Sequence, residues 1–164
     1  MLAVASSGTV DIVHAGGVSL PGWPRAAAPA AGAPTVIAAD ALGTPEIVVP
    51  AGESVFGFAT NGARLWRQYL RGVTGDAVAA ADLDGDGMDE ILVPLKTLPS
   101  VEVLDGYGNV LAPLDWSAVA STPTSAEPLV GTLRDPATLD VAVFVPGVGL
   151  VTMITSSQDT CGGR

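Results

Sequence analysis

The chain has 164 residues, of which 48% are hydrophobic but only 5% aromatic, and a formal net charge of −10 from 17 acids and 7 bases. Nothing in it resembles a basic patch able to displace counterions from phosphates, so nucleic acid is not an expected partner, and an anionic membrane surface is disfavoured for the same reason. No apolar run approaches the ~20 residues that span a bilayer, and cations are the natural ligands of such a chain.

In chain order, LAVASSGTVDIVHAGGVSLPGW reads as three short strands separated by turns. Its apolar part is too short for a signal peptide and lacks a basic start, so any export signal is expected outside this chain. TVIAADALGTPEIVVPAGESVFGFATNGARLW, residues 35–66, reads as four strands. The best helical stretch, ARLWRQYLRG, fits an outer strand equally well. Residues 77–116 give strand, acidic loop, strand, connection, strand, Gly turn, strand, and residues 128–155 carry the first three strands of that order again. The polar end QDTCGGR holds the single cysteine, Cys161, which cannot form an internal disulfide; residues 156–164 are expected to be a disordered tail.

These segments are copies of one unit. Glu46-Ile47-Val48-Val49-Pro50 matches Glu90-Ile91-Leu92-Val93-Pro94 at an offset of 44, and Asp140 falls on Glu90 at an offset of 50. At an offset of 45, Leu2 lies on Ile47, Val10 on Val55 and Gly17 on Gly62. Four short antiparallel strands repeating at this period describe β-propeller blades. The predicted fold is therefore all-β, about three and a half blades, in units 1–24, 35–70, 77–116 and 127–155 of one segment, 1–155. A β-sandwich fits the strand count but not the repeat.

The unit AADLDGDGMDEILVP resembles the FG-GAP/VCBS repeat, the blade of integrin α-subunit propellers and of many bacterial surface and secreted proteins. The turns Asp105-Gly106-Tyr107-Gly108-Asn109 and Ala15-Gly16-Gly17, the latter followed by Leu20-Pro21-Gly22-Trp23-Pro24, look like the outer hairpins of the bacterial branch. The resemblance covers residues 2–155, in motif detail only 77–116. It implies a propeller and calcium in the loop between the first two strands of a blade, and no single activity.

The stretch Asp82-Leu83-Asp84-Gly85-Asp86-Gly87-Met88-Asp89-Glu90 also supports calcium on its own chemistry. Ca²⁺ takes six to eight oxygens at ~2.3–2.6 Å. Alternate carboxylates of Asp82, Asp84 and Asp86 converge if Gly85 and Gly87 let the chain curl with positive φ. The Met88 carbonyl and the Glu90 carboxylate complete the expected ligand set, with Leu83 turned away to pack. The family usually has Asp where Glu90 stands. A solvated acidic hairpin is the plain alternative, disfavoured because three crowded aspartates repel one another without a counter-ion. An EF-hand fails, since its twelfth position would be Val93 in a strand, and Mg²⁺ is less at ease among so many protein oxygens. The other copies are eroded: Thr132, Arg134 and Pro136 replace the three aspartates in the last unit, and Asp40 is the one early carboxylate in the second. One metal site is expected.

Other chemistry is sparse. His14 is the only histidine, and Ser6, Ser7, Ser156 and Ser157 have no nucleophile motif around them. Trp23, Trp66 and Trp116 recur at or near the fourth strand of successive units, which reads as blade packing rather than sugar platforms. The expected function is a non-enzymatic, calcium-binding adhesion, ligand-binding or scaffold module at the cell exterior, with a protein or carbohydrate partner. The alternative is the propeller part of a secreted enzyme: a polysaccharide lyase, a peptidase-associated domain or a quinone-dependent dehydrogenase relative. With the first blade short of its inner strand and the last of its outer one, a closed monomeric ring is not expected. The chain is read as a homo-oligomer or a segment of a longer propeller.

Overall fold

The middle strands of each unit are nearly continuous apolar runs, as strands buried on both faces must be. A computed structural model describes residues 2–6, 8–29, 31–132 and 139–154 and groups them into four antiparallel sheets, with no helix among the described residues. Blade 1 comprises β1 (Leu2–Ser6), β2 (Thr9–Val13) and β3 (Arg25–Ala26). Blade 2 comprises β4 (Thr35–Ala38), β5 (Pro45–Ala51), β6 (Ser54–Ala59) and β7 (Arg64–Tyr69). In blade 3 these positions are taken by β8 (Ala79–Ala81), β9 (Glu90–Pro94), β10 (Ser100–Leu104) and β11 (Val110–Asp115), and in blade 4 by β12 (Leu129–Gly131), β13 (Asp140–Val145) and β14 (Gly149–Ile154). Each sheet is a meander in chain order, and the inner strand β8 lies against both β4 and β12. Inner strands side by side with outer strands at the rim are propeller blades, so the predicted fold class is the observed one.

Period-two alternation explains how one strand serves two interfaces. Ile47, Val49, Phe56 and Phe58 of blade 2 pack against Val10 and Ile12 of blade 1. Val48, Val55 and Ile37, on the opposite face, pack against Ile91, Val93 and Leu104 of blade 3. The same alternation sends Leu92, Val101 and Val103 against Val141, Val143 and Val145 of blade 4. Beyond blade 4, Phe144 and its cross-strand neighbour Leu150 are exposed, at 58% and 59%.

ARLWRQYLRG supplies the outer strand β7, whose pairing with β6 overrides its weak helical pattern. Blade 1 departs from the simple register. Val13 still bridges Ser19 and the Leu20 N–H donates to the Ile12 carbonyl at 2.8 Å, but Pro21-Gly22-Trp23-Pro24 then leaves the ladder, and β3 returns only as two residues opposite Thr9 and Val10. The excursion turns Trp23 inward against Phe58, ring centroids 5.7 Å apart, and its indole N–H donates to the Thr60 carbonyl at 2.9 Å. Trp116 is buried among blade 3 and 4 valines and donates to the Thr122 carbonyl at 3.1 Å. These two tryptophans are inter-blade packing.

Candidate metal loop

The acidic loop connects β8 to β9 at one end of blade 3. Its curl is organised by Asp82, whose carboxylate accepts backbone N–H bonds from Gly85 (2.7 Å), Asp86 (3.1 Å) and Gly87 (3.0 Å). Asp84 accepts one such bond from Asp86, and Asp86 one from Met88. Gly85 and Gly87 have φ of 82° and 88°, the left-handed conformation the sequence required of them.

This winding brings one carboxylate oxygen from each of Asp82, Asp84 and Asp86 within 4.8 Å of the others, with Asp84 and Asp86 exposed and Asp82 half-buried. An all-oxygen, anionic donor set of this kind fits a hard divalent cation.

Glu90 stands apart from that trio. It is buried, at 6% exposure, and its Oε2 accepts the Leu83 N–H at 2.7 Å, closing the neck of the loop. Burial raises its pKa, the Leu83 bond opposes this, and the charges of Asp84, Asp86 and Asp82 raise it further. Met88, whose carbonyl was the fifth expected ligand, is half-buried beside Asp89. Leu83 packs on the blade 3–4 core as expected.

Sequence reasoning missed Asp89. Its Oδ2 accepts the Ala38 N–H at 2.7 Å and its own N–H donates to the Ala38 carbonyl at 2.9 Å, stapling the loop to the end of β4 in blade 2. Its partner lies 51 residues away, and no local pattern announces it.

The equivalent turn of blade 2 is built differently. Asp40 Oδ1 accepts N–H bonds from Leu42 (2.9 Å) and Thr44 (3.0 Å), and Gly43 supplies the positive φ of 71°. The Thr44 bonds, foremost, hold the Asp40 carboxyl below the usual carboxylate range. Glu46, the counterpart of Glu90, is 4% exposed and lies with the Trp66 indole over Gly57. Burial pushes Glu46 up to about 7, with the adjacent indole opposing.

In blade 4, Thr132 is an exposed residue after β12, whereas Arg134 and Pro136 lie outside the described residues, as do Ser7, Thr155 and residues 156–164 with Cys161. His14 is exposed in the β2–β3 turn, where its backbone bonds Val18 and Gly17.

No protein-family model and no curated protein matches the sequence. Solved structures do match in shape. BBS1N, a β-propeller crystallised in complex with ARL6DN, aligns with a TM-score of 0.65 at 15% identity, over 93% of this chain and 45% of that one. A Bacteroides caccae protein of unknown function aligns with a TM-score of 0.54 at 15% identity, over 92% and 52%. The V. cholerae biofilm matrix protein Bap1 aligns with 0.50 at 21% identity, over 68% and 20%. The chain thus spans about half the length of the first of these and a fifth of the last. At such identities the likeness is one of fold.

Proposed function

We propose that the chain is a calcium-stabilised propeller module of the FG-GAP/VCBS kind, acting outside the cell as a non-enzymatic adhesion, ligand-binding or scaffold element. The carrying observation is the convergence of Asp82, Asp84 and Asp86 within 4.8 Å on a loop wound by two left-handed glycines. Bound Ca²⁺ would neutralise three crowded carboxylates and pin the β8–β9 hairpin. Because Asp89 ties this loop to β4, the ion would also stiffen the seam between blades 2 and 3. Loops of this class in extracellular modules bind calcium at ~10⁻⁴–10⁻³ M, which fills them outside a cell and leaves them largely empty in cytosol. BBS1N engages a protein partner and Bap1 belongs to a biofilm matrix, which agrees with a binding or scaffold role.

Thermal unfolding in calcium and in chelator tests the reading. Calcium at tenfold its Kd adds about 1.4 kcal/mol of stability through RT ln(1 + [L]/Kd). Asp84→Ala and Asp86→Ala should each abolish most of that gain. Identical melting of the unaltered chain in both buffers would refute the proposal.

A further inference from the structure

A second site lies on the rim between blades 2 and 3. The β4–β5 turn, β7 and the β10–β11 turn enclose an open cleft of about 440 Å³. Its apolar walls are Trp66, Leu65 and Tyr107, and its polar groups are the Asp40 and Glu46 carboxyls with Thr44. Leu65 and Tyr107, which line the cleft, are exposed at 55% and 58%. Glycine lets the β10–β11 turn close against the cleft wall: a Cβ on Gly108 would sit 2.5 Å from the Trp66 ring, and one on Gly106 would sit 2.7 Å from the Ala39 carbonyl oxygen.

Its floor is electrostatically incomplete. Glu46 is more than nine-tenths buried, and its Oε1 and the Trp66 Nε1–H lie side by side over Gly57 without forming a well-aligned hydrogen bond, and neither has another partner. The indoles of Trp23 and Trp116 both complete their bonds. A buried carboxylate oxygen whose nearest donor is a poorly aligned indole is costly, and no lysine or arginine lines the cleft to supply a better one. The titratable groups around Glu46 in the cleft are Asp40 and Tyr107, neither cationic. Aromatic faces with carboxylates and no resident cation form an environment complementary to an ammonium group on an apolar stem.

We propose that this cleft binds a primary organic cation, its ammonium held by Glu46 and Asp40 and its carbon body lying against Trp66 and Tyr107. A lysine side chain or an amino sugar has this chemistry. A primary ammonium brings three donors to a carboxyl whose Oε1 has only a poorly aligned indole beside it. The inference does not rest on the calcium reading, since none of the acidic-loop residues lines the cleft.

The test is a titration at pH 8, with calcium saturating, following the three indole N–H signals in a ¹H–¹⁵N spectrum. The probes are n-butylammonium and, as its uncharged counterpart, 1-butanol. The Trp66 signal, assigned from Trp66→Phe, should shift saturably with n-butylammonium while those of Trp23 and Trp116 hold still. Tyr107→Ala, at an exposed position, should weaken the binding roughly threefold to tenfold through the lost aromatic face. Glu46→Gln should weaken it at least as much. An equal response to 1-butanol, an undiminished response in both variants, or no saturable shift at tens of millimolar probe would each overturn the proposal.

Discussion

Two turns occupy the same place in successive blades and do different things. Between β4 and β5, Asp40 spends its carboxylate on the N–H groups of Leu42 and Thr44 and forms a closed local turn. Between β8 and β9 the loop is of the same length, since Ala81 pairs Glu90 as Ile37 pairs Glu46, but Asp82 does that capping while Asp84 and Asp86 lie exposed beside it. Common to both is the buried acid that opens the next strand, Glu46 or Glu90. Glu90 accepts the Leu83 N–H from within its loop; the equivalent residue of blade 2, Ala39, donates its N–H to the Thr44 carbonyl instead, and Glu46 is left beside Trp66. At equal length, the loop whose aspartates wind its backbone also satisfies the acid beneath it, and the loop closed by Asp40 leaves its acid beside Trp66 at the edge of a cleft.

The largest consequence concerns pH. Glu46 rises from 4.5 to about 7 on folding, so the folded state holds a proton the unfolded chain releases. Its contribution to stability is complete below pH 4.5 and is lost as pH climbs through about 7, by a few kcal/mol at most given ~1.4 kcal/mol per unit. Glu46→Gln should flatten that part of the stability–pH curve in denaturant titrations. An unchanged slope would mean Glu46 is no different from an exposed acid.

Next comes the division of labour within the acidic loop. Asp82→Ala removes an acceptor from three backbone N–H groups and should cost about 2 kcal/mol even in chelator. Asp84→Ala and Asp86→Ala, each losing one exposed bond, should cost little there and show their effect only in calcium. Equal losses for all three in chelator would make the whole triad a turn device.

Asp89→Ala should destabilise by about 1 kcal/mol by leaving the Ala38 N–H without its acceptor, and Asp89→Asn should restore most of it. Hydrogen exchange at Ala38 reports this directly, and no change in its protection would remove the inter-blade staple. The smallest effect is expected for Asp40→Ala: a slight fall in melting temperature, identical with and without calcium. A calcium-dependent fall would mean the blade 2 turn also binds metal.

Much of this arrangement was legible in the sequence because propeller blades repeat. The offset between Glu46-Ile47-Val48-Val49-Pro50 and Glu90-Ile91-Leu92-Val93-Pro94 follows from two strands under the same burial on both faces. Gly85 and Gly87 could be assigned positive φ because only that conformation curls alternate aspartates inward. What stayed hidden depends on contacts between blades. The irregular outer edge of blade 1 follows from Trp23 reaching the Thr60 carbonyl 37 residues away, and local strand propensity carries no trace of it. Glu46 and Trp66 likewise read as ordinary strand residues, and their unmet bonds emerge only once Gly57 brings them together.

Calorimetric titration of the metal-stripped chain with calcium tests the central claim most directly. The account predicts one ion per chain, lost in Asp84→Ala and Asp86→Ala but retained in Asp40→Ala. No heat of binding at millimolar calcium, or two or more ions per chain, would contradict it.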